Sequence, residues 1–511
     1  MTNFTANKTA LTASYAGAPS GAGSAGGFLL RPDVPMIKPV KLHANVGACL
    51  DIPTGSFVRG RHGESLLKGG VPAFFGIAGK ANNFKSTILA WMLLTALRRL
   101  TFHASSLSWY DTEVNVELYR LATLASYIEG YEEFTEENGT VFDRGVWVFT
   151  DKGNMSGNKW VAALQDFLQS KLKAARSVTR SSPFLDLDGK TLIEMLAPTA
   201  SAVDTISEFE SDDVMAMREK TEIGQKEGNT INMRQGLGKD RFIRETPGMC
   251  ARGFHFMGMA AQWGEEKPDI SAGPMSGPKP KKMNTLRQGE KIRGVPDSFL
   301  YLPLHVWMVD GSSMLRDDDF YPLEPDDMSS ENMDLWRCPM KMLRSKTGMS
   351  GFTVDVIVSQ KRGVDPSMTE FYYISKTHKR YGIEGAGQYY TLDLLPDTEK
   401  LQRTTIRKAL HANPALRRAV NLTSEICQIG EYYPGLKGRV PPMKDLRAKL
   451  IADGYDWNTL ISTRGWWTLD NDHQGEHFLS SMDLIEMYHG DYVPFWLEAD
   501  KKTVRKEFVR K

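Results

Sequence analysis

The sequence predicts an α/β protein with a mainly parallel, twisted sheet flanked by helices, followed by a smaller, mostly helical C-terminal domain. Three observations lead there. From about residue 46, short apolar strands alternate with longer helical stretches. The strand at 71–77 runs into a Gly-rich turn and then a helix. After residue 400 the chain becomes helical and aromatic.

Further strands are expected at 107–110, 146–149, 200–203, 254–260, 304–309 and 353–358. Helical spacing of apolar residues covers 88–100, and 160–175 reads as an amphipathic helix. Residues 1–45, rich in small and polar types, are expected to be a mobile tail or an arm that orders on a neighbouring subunit. The core is expected over 46–395 and the C-terminal domain, with its basic tail, over 396–511. Within the core, residues 264–293 carry four prolines and seven Lys or Arg without periodicity. A loop that long inside a compact domain usually has a function.

Composition narrows the class. The chain has 511 residues, with 63 Lys plus Arg against 62 Asp plus Glu, so a basic surface has to be local. Cys49, Cys250, Cys338 and Cys427 are far apart and read as reduced, buried thiols rather than a disulfide or metal framework. No run of about 18 apolar residues suggests a membrane span, and no apolar signal core opens the chain. A cytoplasmic location is expected.

The turn at 79–87 reads Gly79-Lys80-Ala81-Asn82-Asn83-Phe84-Lys85-Ser86-Thr87. A phosphate loop needs a strand, backbone N–H groups that wrap the phosphates, a Lys, and a Ser or Thr for Mg2+. It also opens a helix, whose N-terminus favours anions. All of these are present except the second glycine, whose place Phe84 takes. Lys85 is expected to reach the phosphates of ATP and Ser86 to ligate Mg2+. The competing register on Lys80 fails because Ala81 has no oxygen for the metal.

The Phe-Lys-Ser ending resembles the phosphate loop of the phage UvsX recombinases, relatives of bacterial RecA. Thr54-Gly55-Ser56 and Gly69-Gly70-Val71-Pro72 are similar to the family's signatures leading into that strand. Trp109-Tyr110-Asp111-Thr112-Glu113 resembles its Asp-x-Glu strand, which implies that Glu113 orients the attacking water. Ala202-Val203-Asp204-Thr205 resembles a Walker B strand, which implies that Asp204 holds Mg2+. Gln262 falls where the family senses the γ-phosphate and signals to a DNA loop.

The resemblance makes 264–293 that loop, with Lys267, Lys279, Lys281, Lys282, Arg287, Lys291 and Arg293 neutralising phosphates. The family's first DNA loop is expected within 210–232. Arg344-Ser345-Lys346 is similar to a basic pair that reaches ATP across a subunit interface, a feature shared with hexameric helicases of the DnaB class. Residues 381–390 resemble a segment near the end of the recombinase core. Together these imply a RecA-like P-loop ATPase that pairs and exchanges DNA strands as a filament on single-stranded DNA. The implied partners are single- and double-stranded DNA, other copies of the chain, loaders and single-strand-binding proteins, and the implied location is a host cytoplasm.

Two alternatives remain open at this point: a ring-forming helicase, and a decayed ATPase serving as a structural DNA-binding subunit. The C-terminus departs from the family, whose tail is acidic, because Lys501, Lys502, Arg505, Lys506, Arg510 and Lys511 cluster there. Trp466-Trp467 and the aromatics around 488–496 are expected to serve as core more than as base-stacking platforms.

Overall fold

The computed structural model describes residues 42–101, 105–128, 131, 134–136, 140–142, 145–221, 228–265, 290–309, 311–324, 327, 332–385, 389–397, 400–469 and 477–508. The described residues form one compact unit. Its centre is a large, mostly parallel sheet. In chain order the main strands are β1 Phe74–Gly79, β2 Ser105–Asp111, β3 Gly145–Asp151, β4 Thr199–Asp204, β5 His255–Glu265, β6 Glu290–Ile292, β7 His305–Val309, β8 Leu335–Ser345 and β9 Thr353–Ser359.

Across the sheet the order is β3-β2-β4-β5-β1-β7-β8-β9, parallel from β3 to β7 and antiparallel beyond. Strand β6 pairs antiparallel with the end of β5 to make a ribbon.

Helices cover both faces, and the period-2 alternation of the strands divides the core accordingly. Phe75, Ile77, Leu107, Trp109, Ala200, Ala202, Phe256 and Ala260 pack with helix α1, Lys85–Leu100. Phe74, Ala78, Tyr110, Val203, Met257 and Met259 pack on the other face. There they meet α2, Gly157–Lys173, through Trp160 and Leu164, and α3, Gly228–Gly253, through Phe242 and Ile243. Strand β4 is built from small residues and buried at every position, because it lies between β2 and β5 with helices on both sides.

Upstream of β1, the two glycine-containing signatures form a backbone crossing. A Cβ on Gly69 would lie 2.1 Å from the Asp51 carbonyl oxygen, and Gly70 has φ +99°. Thr54 Oγ1 accepts from the Gly70 N–H at 2.7 Å and locks the crossing.

The C-terminal helices share the apolar core of the sheet. They include α4 Pro366–Tyr372, α5 Ile406–Ala412, α6 Pro414–Tyr432, α7 Met443–Ala452 and α8 Ser481–His489. Arg407 of α5 is buried between Asp334 (3.1 Å) and Asp365 (3.6 Å). Trp467, Tyr492 and Trp496 are buried in the core, as expected, whereas Trp466, Tyr488 and Phe495 are half-buried. All four cysteines are buried and free. Among the described residues no helix is long and apolar enough to cross a membrane.

Several boundaries move. Strand His43–Ala44 is buried and paired with Val71–Pro72, so the expected tail ends before residue 45. Residues 264–265 and 290–292 are strand, so the expected loop has a paired root, and 266–289 lie outside the described residues. A helix at Asp212–Lys220 and the start of α3 occupy much of 210–232. The basic tail is partly packed, with Lys501 over the Tyr455 ring and Arg505 Nε donating to the Leu497 carbonyl at 2.8 Å.

Candidate functional site

The carboxyl ends of β1, β5, β4 and β2 line up at one edge of the sheet, where open α/β sheets place their ligands. Register puts Gly79 beside Gln262 and Asp204 beside Asp111. The expected 79–87 loop, Glu113, Asp204 and Gln262 therefore come from neighbouring strand ends or the loops that leave them.

The loop after β1 turns through Asn82 (φ +60°) and Phe84 (φ +55°) into α1. Lys85 is buried, and its Nζ donates to the Lys80 carbonyl at 2.7 Å, across the loop's own mouth. Burial lowers its pKa, while the nearby carboxylates of Asp204 and Glu113 oppose that shift. Lys80 Nζ lies 4.6 Å from the centre of the Trp263 ring, a cation–π contact from the loop to the ribbon root.

Asp204 ends β4, fully enclosed. Burial pushes its carboxyl up to about 6, with a hydrogen bond from Ser86 opposing and Asp111 and Glu113 adding to the rise. Its Oδ2 is buried with no hydrogen-bond partner among the described residues. An orphaned carboxylate oxygen beside a helix-N-terminal hydroxyl fits Mg2+, which takes one or two protein ligands and completes its shell with phosphate and water. Among the described residues no group of three or more His, Cys, Asp or Glu suits a metal, and such a shell does not need one.

Glu113 is held at the mouth by three polar contacts. Gln262 Nε2 donates to its Oε1 at 3.0 Å, Asn115 Nδ2 to its Oε2 at 3.0 Å, and Thr205 Oγ1 approaches Oε1 at 3.4 Å. Asp111 supports the turn from below, its carboxylate accepting the backbone N–H groups of Glu113, Val114, Asn115 and Val116.

Three further residues were missed in the sequence. Thr112 joins the strand ends: its N–H donates to the Asp204 carbonyl at 2.8 Å and its hydroxyl to the Thr205 carbonyl at 2.7 Å. Ser207 Oγ accepts from the Gln262 N–H at 2.9 Å and donates to the Arg293 carbonyl at 3.0 Å. Lys239 of α3 donates to the Ser207 carbonyl, and to that of Gly294 at 2.7 Å. Only Thr112, lying between two acids, carried a signal.

Not every expected residue gathers here. Arg344 pairs with Val306, three residues back along β7 from Val309, the neighbour of Gly79. The Lys346 N–H reaches the Leu304 carbonyl, farther toward the opposite edge. At about 3.3 Å per residue, these positions lie roughly 10–17 Å back along the strand direction from the level of Gly79, where the 79–87 loop of their own chain begins. Lys291 and Arg293 lie in and just after β6, while Lys267, Lys279, Lys281, Lys282 and Arg287 fall outside the described residues.

No protein-family model matches the chain, and no curated protein matches it.

Proposed function

We propose that the chain is an ATP-dependent DNA recombinase with a RecA-like core, forming filaments on single-stranded DNA and promoting homologous pairing and strand exchange. One observation carries the reading: Gln262 joins the catalytic-type carboxylate Glu113 to the root of the basic ribbon. A change at the γ-phosphate position has a direct route into the segment that would grip DNA.

Loop N–H groups and the Lys85 ammonium bind the phosphates at the N-terminus of α1. Mg2+, held by Ser86 and Asp204, would supply positive charge to the phosphate oxygens. Glu113 orients the water that attacks the γ-phosphorus, and ADP, phosphate and a proton leave. Gln262 loses its phosphate partner and relaxes the ribbon, which releases DNA. Arg344 and Lys346, remote from the 79–87 loop of their own chain, would serve a neighbouring copy's nucleotide in an assembly of many subunits.

The test is ATP turnover with and without single-stranded DNA, alongside strand exchange and electron micrographs. Turnover is expected to rise several-fold with DNA, and filaments are expected with DNA and ATP. Lys85→Ala is expected to lower turnover about 100-fold or more and to abolish exchange. Closed rings without DNA would favour a helicase, no turnover under either condition a structural subunit, and a fully active Lys85→Ala variant would sink the mechanism.

A further inference from the structure

Phosphate loops usually have glycine immediately before the lysine. Phe84 stands there with φ +55° and ψ +21°, a left-handed conformation disfavoured for bulky L-residues. Asn82, the other left-handed residue of the loop, is of a type that tolerates it. Phe84 makes no side-chain cap to the helix it opens. Its carbonyl accepts the Ile88 N–H at 2.9 Å, so its backbone sets the first turn of α1, and with it the direction of Lys85 and Ser86.

The Phe84 ring packs on Trp336, with ring centres 5.6 Å apart and planes at 54°. Trp336 is itself fixed. It lies near the start of β8, with Met314 and Val358 paired to either side, and its indole Nε1 donates to the Met333 carbonyl at 2.8 Å.

We propose that Trp336 is a positioning residue for the phosphate loop: its indole clamps the Phe84 ring and holds a strained backbone where glycine would need no support. The functional consequence rests on reading that loop as the nucleotide site, whereas the clamp itself is a property of the free protein.

A double-mutant cycle separates this from general destabilisation. Trp336→Ala, Phe84→Gly and the double variant are compared in the full-length protein by hydrogen exchange over residues 79–90 and by binding of a fluorescent ADP analogue. Trp336→Ala is expected to speed exchange in that segment and to weaken ADP about fivefold to tenfold. On the Phe84→Gly background, where the turn has no steric cost, the same change is expected to alter either readout less than twofold.

Trp336→Phe, which keeps a ring, is expected to stay within about twofold of the parent. Phe84→Leu changes no residue of β8, and it is expected to speed exchange as Trp336→Ala does. Equal effects of Trp336→Ala on both backgrounds, or unchanged exchange in Phe84→Leu, would overturn the clamp. Coupled exchange rates in a protein that binds no ADP would uphold the clamp and count against the nucleotide reading.

Discussion

Asp204 is a buried carboxyl whose Oδ2 has no hydrogen-bond partner among the described residues. Its folded pKa, about 6, is above the ordinary carboxylate value near 3.9, chiefly because of burial. Stability from this group is therefore complete below about pH 4 and is lost as pH rises through about 6. At pH 8 the buried charge costs roughly 2–3 kcal/mol. Asp204→Asn keeps an acceptor for Ser86 and removes the charge. The Asn variant is expected to melt a few degrees higher than the parent at pH 8, with the gap closing by pH 4, while ATP turnover falls about 100-fold or more. Scanning calorimetry at both pH values and a turnover assay check this, and an unchanged melting temperature at pH 8 would contradict it. A higher melting temperature with lost turnover is the exchange of stability for activity expected of a functional site.

At the scale of elements, the informative unit is the root of the β5–β6 ribbon. Ser207 and Lys239 tie the end of β4, the Gln262 position and the ribbon's return at 293–294 into one hydrogen-bonded junction. Burial lowers Lys239 to about 8, with Glu208 and Glu210 opposing. Lys239→Met fills the same space without donating. It is expected to leave turnover without DNA within about twofold, while cutting the stimulation by single-stranded DNA fivefold or more. Equal losses with and without DNA would instead make Lys239 a support for the whole site.

The parts that Ser207 and Lys239 play in this junction were not legible beforehand, because both act on main-chain groups, which a sequence does not display. The strands were legible because apolar runs flanked by turns identify them at short range. Helix α3 was not, since Gly236, Gly238, Pro247 and Gly248 weaken its local preference. Packing supplies what propensity lacks there, as when Phe242 stacks on Phe209 with ring centres 5.2 Å apart. Strand β8 was hidden by Pro339 and its charges; Pro339 lies just beyond Met340, where the pairing with β7 ends.

Across the whole molecule, a buried polar network joins the start of the described chain to the C-terminal helices. The Asp51 carboxylate accepts the N–H groups of Val46 and Gly47 and faces Arg99 at 3.7 Å. Glu370 of α4 accepts from the Ala48 N–H at 3.1 Å and from Asn421 of α6 at 3.0 Å, and Asn421 also donates to Glu425. Arg418 of α6 reaches Asn421 and the Leu479 carbonyl.

Three carboxylates thus face two guanidinium groups in a desolvated space, so one acid is short of a partner. Burial, with Glu425 adding, raises Glu370 to about 8, while Asn421, Arg99 and the Ala48 N–H oppose. Burial likewise raises Asp51 to about 7 against the pull of Arg99. A folded pKa above the unfolded value near 4.3 means that the folded protein binds the extra proton between them. Stability from Glu370 is therefore complete below about pH 4 and is lost as pH rises through about 8. Glu370→Gln keeps the oxygen that accepts from Ala48 and Asn421 and cannot ionise. It is expected to match the parent near pH 4 and to exceed it at pH 9 by on the order of 3–5 kcal/mol. Thermal unfolding of both proteins at pH 4, 7 and 9 measures that gap. A gap that shrinks with rising pH would show that Glu370 is paired as an anion, and that its contacts with Arg99 and Asn421 outweigh its burial.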